Sequence, residues 1–203
     1  MIEITSGYEL TTSITNIFIL IFSIFGYVEI KDKRWNFFFL CMILDSFIGT
    51  IVHGIVMSEQ VYNLLWVFLA ICFTMTINTL LGIYLNLKIR HIVYLSIIIT
   101  FLIFIEMLFE IDFIFTFSMY VLLVLIICLY KIIKSSIIDN IWFLMGFLFE
   151  IIGGIFMLSK IKMSIINHNG IYHIFTVIAL LCFYIGVNKN DYKSSRSINR
   201  KRR

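Results

Sequence analysis

There is no proline anywhere in this 203-residue chain, and only 14% of it is charged. The first absence excludes proline-kinked helices and argues against small PQ-loop sugar transporters, which need prolines. The second excludes a water-soluble domain. Soluble chains carry about 25% charged and about 45–50% apolar residues, whereas this one is 61% hydrophobic. Cysteine is also scarce. Cys41, Cys72, Cys128 and Cys182 each sit inside an apolar run without CxxC spacing, which reads as small buried thiols and says nothing about redox compartment. The segment 169–187 contains no lysine, so a retinal Schiff base there is excluded. No Walker, glycine-rich phosphate or Ser-His-Asp pattern occurs. The first residues carry Glu3 and Glu9 rather than basic groups, and no small-residue cleavage site follows, so a signal peptide is not expected.

What is present is a series of long apolar runs rich in Ile, with 21 Phe. A membrane-spanning helix needs about 20 apolar residues. The runs predict an all-α integral membrane bundle of seven helices within residues 1–187. The spans fall near 10–30, 35–57, 61–87, 91–109, 112–133, 139–159 and 169–187. A basic tail, 188–203, follows. Helices are required because only helices or closed barrels satisfy the backbone in lipid, and the runs lack the two-residue alternation of barrel strands.

Basic residues set the expected orientation. Lys31, Lys33, Arg34, Lys88, Arg90, Lys131 and Lys134 fall in alternate joints. The tail adds Lys189, Lys193, Arg196, Arg200, Lys201, Arg202 and Arg203. Only Lys160 and Lys162 fall on the other side, among Glu3, Glu9, Glu59, Glu110 and Asp112. The N-terminus is therefore expected outside and the tail in the cytoplasm of a plasma membrane of bacterial type. There the tail would touch anionic lipid headgroups rather than nucleic acid.

Ionisable groups inside a span cost roughly 2.5–3.5 kcal/mol at the helix centre on insertion scales. They are accordingly the candidate functional residues: Asp45 and His53 in the second span, Glu106 in the fourth, Glu150 in the sixth and His173 in the seventh. Asn16 and Asn78 add amides. His91, beside Arg90, reads as interfacial. With the second span running outward and the seventh inward, His53 and His173 each lie about one turn from the outer end. His168 and Asn169 lie just above His173, Glu106 and Glu9 lie near the same side, and Asp45 and Glu150 lie deeper. Imidazole and carboxylate suit zinc, whose catalytic sites take three protein ligands and a water. His53, His173 and one of His168, Glu106 or Glu9 would supply three. The alternative is that the histidines hydrogen-bond neighbouring helices. Ser46, Gly49, Thr50 and His53 share a stripe at i, i+3, i+4, i+7 spacing, and small residues in membrane helices mark close packing. That face should point inward. Gly146, Gly153 and Gly154 should do the same around Glu150.

The segments Gly49-Thr50-Ile51-Val52-His53-Gly54 and Asn169-Gly170-Ile171-Tyr172-His173-Ile174-Phe175 resemble the CREST superfamily. It comprises alkaline ceramidases, progestin and adipoQ receptors and related seven-span proteins, and this chain looks like a divergent bacterial member. The resemblance implies a Ser-x-x-x-His motif in the second span and a His-x-x-x-His motif starting the seventh, holding a zinc ion that activates water. His53 and His173 match. Gly49 stands at the serine position, with Thr50 and Ser46 near it. Asn169 stands at the first histidine of the last motif, with His168 one place away, about 100° round the helix. The family's third-span aspartate has only Asn63 and Glu59 as neighbours here.

Two expectations follow. One is a zinc-dependent hydrolase of a lipid amide or ester, with His53, His173 and His168 on the metal and Glu106 as base. The other is a non-catalytic membrane protein (sensor, assembly factor or small transporter) working through Asp45, Glu150 and Asn78.

Overall fold

The computed structural model describes residues 4–108, 113–135, 140–159 and 165–201, with side chains for all of these except 8, 106–108, 113–119 and 190–201. Seven helices are described: α1 Tyr8–Glu29, α2 Lys33–Gly54, α3 Glu59–Leu85, α4 Ile89–Leu108, α5 Phe113–Ser135, α6 Ile141–Ser159 and α7 His168–Lys201. Among the described residues there is no strand, only an isolated antiparallel bridge between Ile4 and Ile55. Five helices, α1, α2, α3, α6 and α7, are long and apolar enough to cross a membrane. In α4 the stretch Ile89–Ile105 is apolar but shorter.

Helix ends follow local chemistry. The Asp32 carboxylate accepts from the Arg34 and Trp35 amides at 2.9 and 3.1 Å, capping α2. At the far end of α2, Thr5 donates its hydroxyl to the His53 carbonyl at 2.6 Å and its amide to the Gly54 carbonyl at 3.1 Å. That satisfies carbonyls the helix leaves open. Asn86 adopts the left-handed conformation, φ 57°, and lets the Leu87 amide reach back to the Gly82 carbonyl at 2.8 Å, closing α3. The expected spans match the first six helices to within about three residues. In the seventh the apolar stretch, His168–Lys189, agrees with the expected 169–187 to within two residues, and the helix then runs on to Lys201. No glycine or proline lies between 188 and 201 to stop it.

Helices α1 and α2 are joined by a three-residue turn and run antiparallel, so Ser13 meets Thr50 and Gly26 meets Phe39. Helices α6 and α7 are also antiparallel, with Gly153 against Tyr172 and Gly146 against Phe183. Helices α1 and α7 run parallel, pairing Thr12 with Asn167, Thr15 with His173 and Phe25 with Tyr184. Helix α4 packs on α3 through Ile92 against Gly82.

The core is divided along its length. Toward the end where α2 begins it is aromatic. Trp35 stacks on Phe143 with centroids 5.2 Å apart, and Phe183 meets Trp35, Phe38 and Phe147. Toward the end where α1 begins it is polar. In α1 the buried positions are Thr12, Ser13, Asn16, Ile19, Ser23 and Gly26, while Ile14, Ile17, Phe18, Ile21, Ile24, Phe25 and Val28 are exposed. Thr12 is 0% exposed and Phe18 53%. A helix in water shows the opposite arrangement. Exposed Ile97, Ile98 and Phe101 on α4 and Ile155 and Leu158 on α6 extend the apolar surface.

Candidate functional site

The polar half of the core is built mainly from threonines and serines that first satisfy their own helices. Ser46 donates to the Met42 carbonyl at 2.6 Å, and Thr50 to the Ser46 carbonyl at 2.8 Å. With its hydroxyl so occupied, Thr50 offers its own carbonyl to Ser13 Oγ at 2.9 Å. Gly49 lets Asn16 approach: a Cβ there would lie 2.9 Å from the Asn16 side-chain nitrogen. The expected inward stripe of α2 thus faces α1.

His53 and His173 lie at this end. The His53 Nδ1–H donates to Glu9 Oε2 at 2.6 Å, and the ring stands edge-on to Trp66, centroids 6.0 Å apart. His173 Nδ1 lies 2.9 Å from Thr15 Oγ1. Thr15 has one hydroxyl proton, which the Thr11 and Thr12 carbonyls of its own helix take at 3.1 and 2.8 Å. The imidazole N–H is therefore the donor to Thr15. The Thr12 backbone is also within hydrogen-bonding range of the His173 ring, and His53 is within Coulombic reach of it. Thr12 donates its hydroxyl to Asn167 Oδ1 at 3.0 Å, and the same oxygen accepts the Gly170 amide at 2.9 Å. Asn167 thus caps α7 and ties it to α1 at once.

The other expected residues fall in three places. His168 and Asn169 are half-buried in the first turn of α7, and His168 Nδ1 is buried without a hydrogen-bond partner among the described residues. Deeper, the Glu150 carboxylate accepts from Thr176 Oγ1 at 3.4 Å and also interacts with the Tyr172 hydroxyl. Asp45 lies within Coulombic reach of that same phenol from α2, its Oδ1 buried and without a partner among the described residues. Asn78 belongs elsewhere. It donates to Ser96 Oγ at 3.0 Å and accepts from the Tyr120 hydroxyl, joining α3, α4 and α5. It lies about 28 Å along α3 from Glu59, at 1.5 Å per residue, so it shares no site with the histidines. The side chain of Glu106 lies outside the described residues, on a helix that packs against α3 and α5.

A three-ligand zinc centre is not assembled by the described residues. No three of their His, Cys, Asp and Glu side chains gather closely enough to share a metal. The His53 Nδ1 is turned to Glu9, and that of His173 to α1. The four cysteines are buried and free. Sequence reasoning missed Thr12, Thr15, Asn167 and Thr176 as partners. The signal was the α1 stripe Thr12, Asn16, Ile19, Ser23, Gly26, at i, i+4, i+7, i+11, i+14 spacing.

These features define a helical bundle with an apolar exterior and an ionisable, hydroxyl-rich interior at one end. The chain matches the model of DUF6962, a family of unknown function, over residues 11–192, and belongs to that family. No curated protein and no solved structure matches it.

Proposed function

We propose that this protein is a non-catalytic, proton-handling integral membrane protein, a sensor or small transporter. It crosses the membrane seven times, with the N-terminus outside and the basic end of α7 in the cytoplasm. The observation that carries this reading is a pair of half-buried carboxylates, Asp45 on α2 and Glu150 on α6, both interacting electrostatically with one phenol, Tyr172, in a bundle whose exterior is apolar. Acids at such depth are costly and mark proton or ion pathways. Glu9 and His53 extend the row of ionisable groups toward the outer surface, where Glu9 is 54% exposed. Thr15, His173, Tyr172 and Thr176 supply hydroxyl and imidazole groups between these levels.

The test is proton flux into liposomes holding a trapped pH dye, driven by a potassium diffusion potential. Wild-type protein is expected to dissipate the potential-driven gradient, and Glu150→Gln and Asp45→Asn to slow it at least tenfold. A wild-type rate equal to empty liposomes, with no phenotype for either variant, overturns the reading. Topology is tested separately. An impermeant maleimide added outside should label Ser58→Cys and spare Lys88→Cys.

The competing reading is a zinc-dependent hydrolase of a lipid amide or ester. What favours it is that His53 and His173, from helices far apart in sequence, stand within Coulombic reach. Stoichiometric zinc in freshly purified protein, lost in His53→Ala and His173→Ala, would decide for it.

A further inference from the structure

Between α1 and α7 the surface opens into a cleft of about 150 Å³ lined by Thr15, Phe18, His173, Ile174, Val177 and Ile178. Its walls are apolar. Its polar groups are Thr15 and His173, which are already bonded to each other at 2.9 Å. We propose that this cleft holds one acyl chain of a membrane lipid, an inference that rests on the membrane reading above.

Three observations select that occupant. Phe18 and Ile174, at the cleft, are exposed on the apolar exterior, so a molecule reaching the cleft comes sideways from the lipid phase. Thr15 lies seven residues beyond Tyr8 and His173 five beyond His168, roughly 8–10 Å in from the helix ends at 1.5 Å per residue. A headgroup layer is only about 5–7 Å thick on each side of the hydrocarbon, so the cleft sits at chain depth, below the headgroups. Finally, about 150 Å³ is room for a molecule the size of benzene, which matches a run of several methylenes. Because Thr15 and His173 are already bonded to each other and the remaining lining is apolar, a ligand without hydrogen-bonding groups fits better than a polar one. A chain seated here covers the Thr15–His173 contact and keeps water from it.

The experiment uses the full chain in nanodiscs doped with phosphatidylcholine carrying a diazirine on one acyl chain, with adducts mapped by mass spectrometry. Adducts at Ile174, Val177 and Ile178 are expected to exceed those at Ile155 and Leu158 severalfold. They should plateau at a low mole fraction of the probe, while the Ile155 adducts rise in proportion to it. Val177→Trp, which fills the cleft, should remove the cleft adducts and leave those at Ile155. Equal labelling of all faces, or cleft adducts that never saturate in the wild type, overturns the cleft as a lipid site and leaves the membrane reading standing. Absence of adducts on every apolar face instead removes the membrane reading itself.

Discussion

His53 Nδ1 lies 2.6 Å from Glu9 Oε2, joining the start of α1 to the end of α2, and the same imidazole stands edge-on to Trp66 of α3. The indole is a built-in reporter. In a Trp35→Phe, Trp142→Phe background, its emission is expected to shift in His53→Gln, which removes the ring standing edge-on to it. Glu9→Gln should leave that contact in place while lowering stability by only about 0.2–1 kcal/mol, as for other solvent-accessible pairs. Emission spectra and thermal melts in detergent read both. An unchanged emission in His53→Gln would show that the ring does not stand against the indole.

The glycines of α6 differ sharply in surroundings. A Cβ on Gly146 would collide with the Phe183 ring, whereas among the described residues nothing lies within 4 Å of one on Gly154. Gly146→Ala is expected to cost about 1–3 kcal/mol, the usual penalty of overpacking. Gly154→Ala should be neutral or slightly stabilising through helix propensity. A ranking reversed in thermal melts would show that α6 does not pack on α7 by this face.

Asn167 serves two helices at once, so its loss should exceed the loss of either partner. Asn167→Ala is expected to cost about 1–2 kcal/mol from the cap alone, with faster hydrogen exchange at the Gly170 amide. Thr12→Val removes one interhelical bond, worth about 0.6 kcal/mol on average between membrane helices. If the two variants melt alike, the cap contributes nothing measurable.

The Asn78 network makes a separate prediction. Tyr120→Phe deletes one donor and is expected to lower stability by up to about 1.7 kcal/mol, the upper end for membrane hydrogen bonds. Asn78→Ala should cost more, since it leaves both Tyr120 and Ser96 without their partner. Proton flux should be unaffected by Tyr120→Phe, because this network joins α3, α4 and α5, away from Glu150.

Much of the architecture was legible because apolar runs and charged joints carry it directly. Lys33, Glu59 and His168 begin helices where the hydropathy changes. Asp45 and Glu150 were legible as interior carboxylates for the same reason, since each stands alone in the middle of an apolar run. The pairings were not. Threonine in a helix can always bond its own backbone, so Thr12 and Thr15 carry no mark of a partner more than 150 residues away. Nor does depth specify azimuth. Position along the spans puts His53 and His173 at similar depth, yet one turns to Glu9 and the other to Thr15, six residues further along α1. The seventh helix outran its span because hydropathy detects where lipid would end, not where the helix does.

The polar stripe of α1 has a consequence for biogenesis. This helix emerges from the ribosome before the other six, yet Thr12 and Thr15 wait for α7, the last. Until α7 has been made, α1 waits with part of its hydrogen-bonding face unmet. A chain truncated before residue 167 would keep that face open.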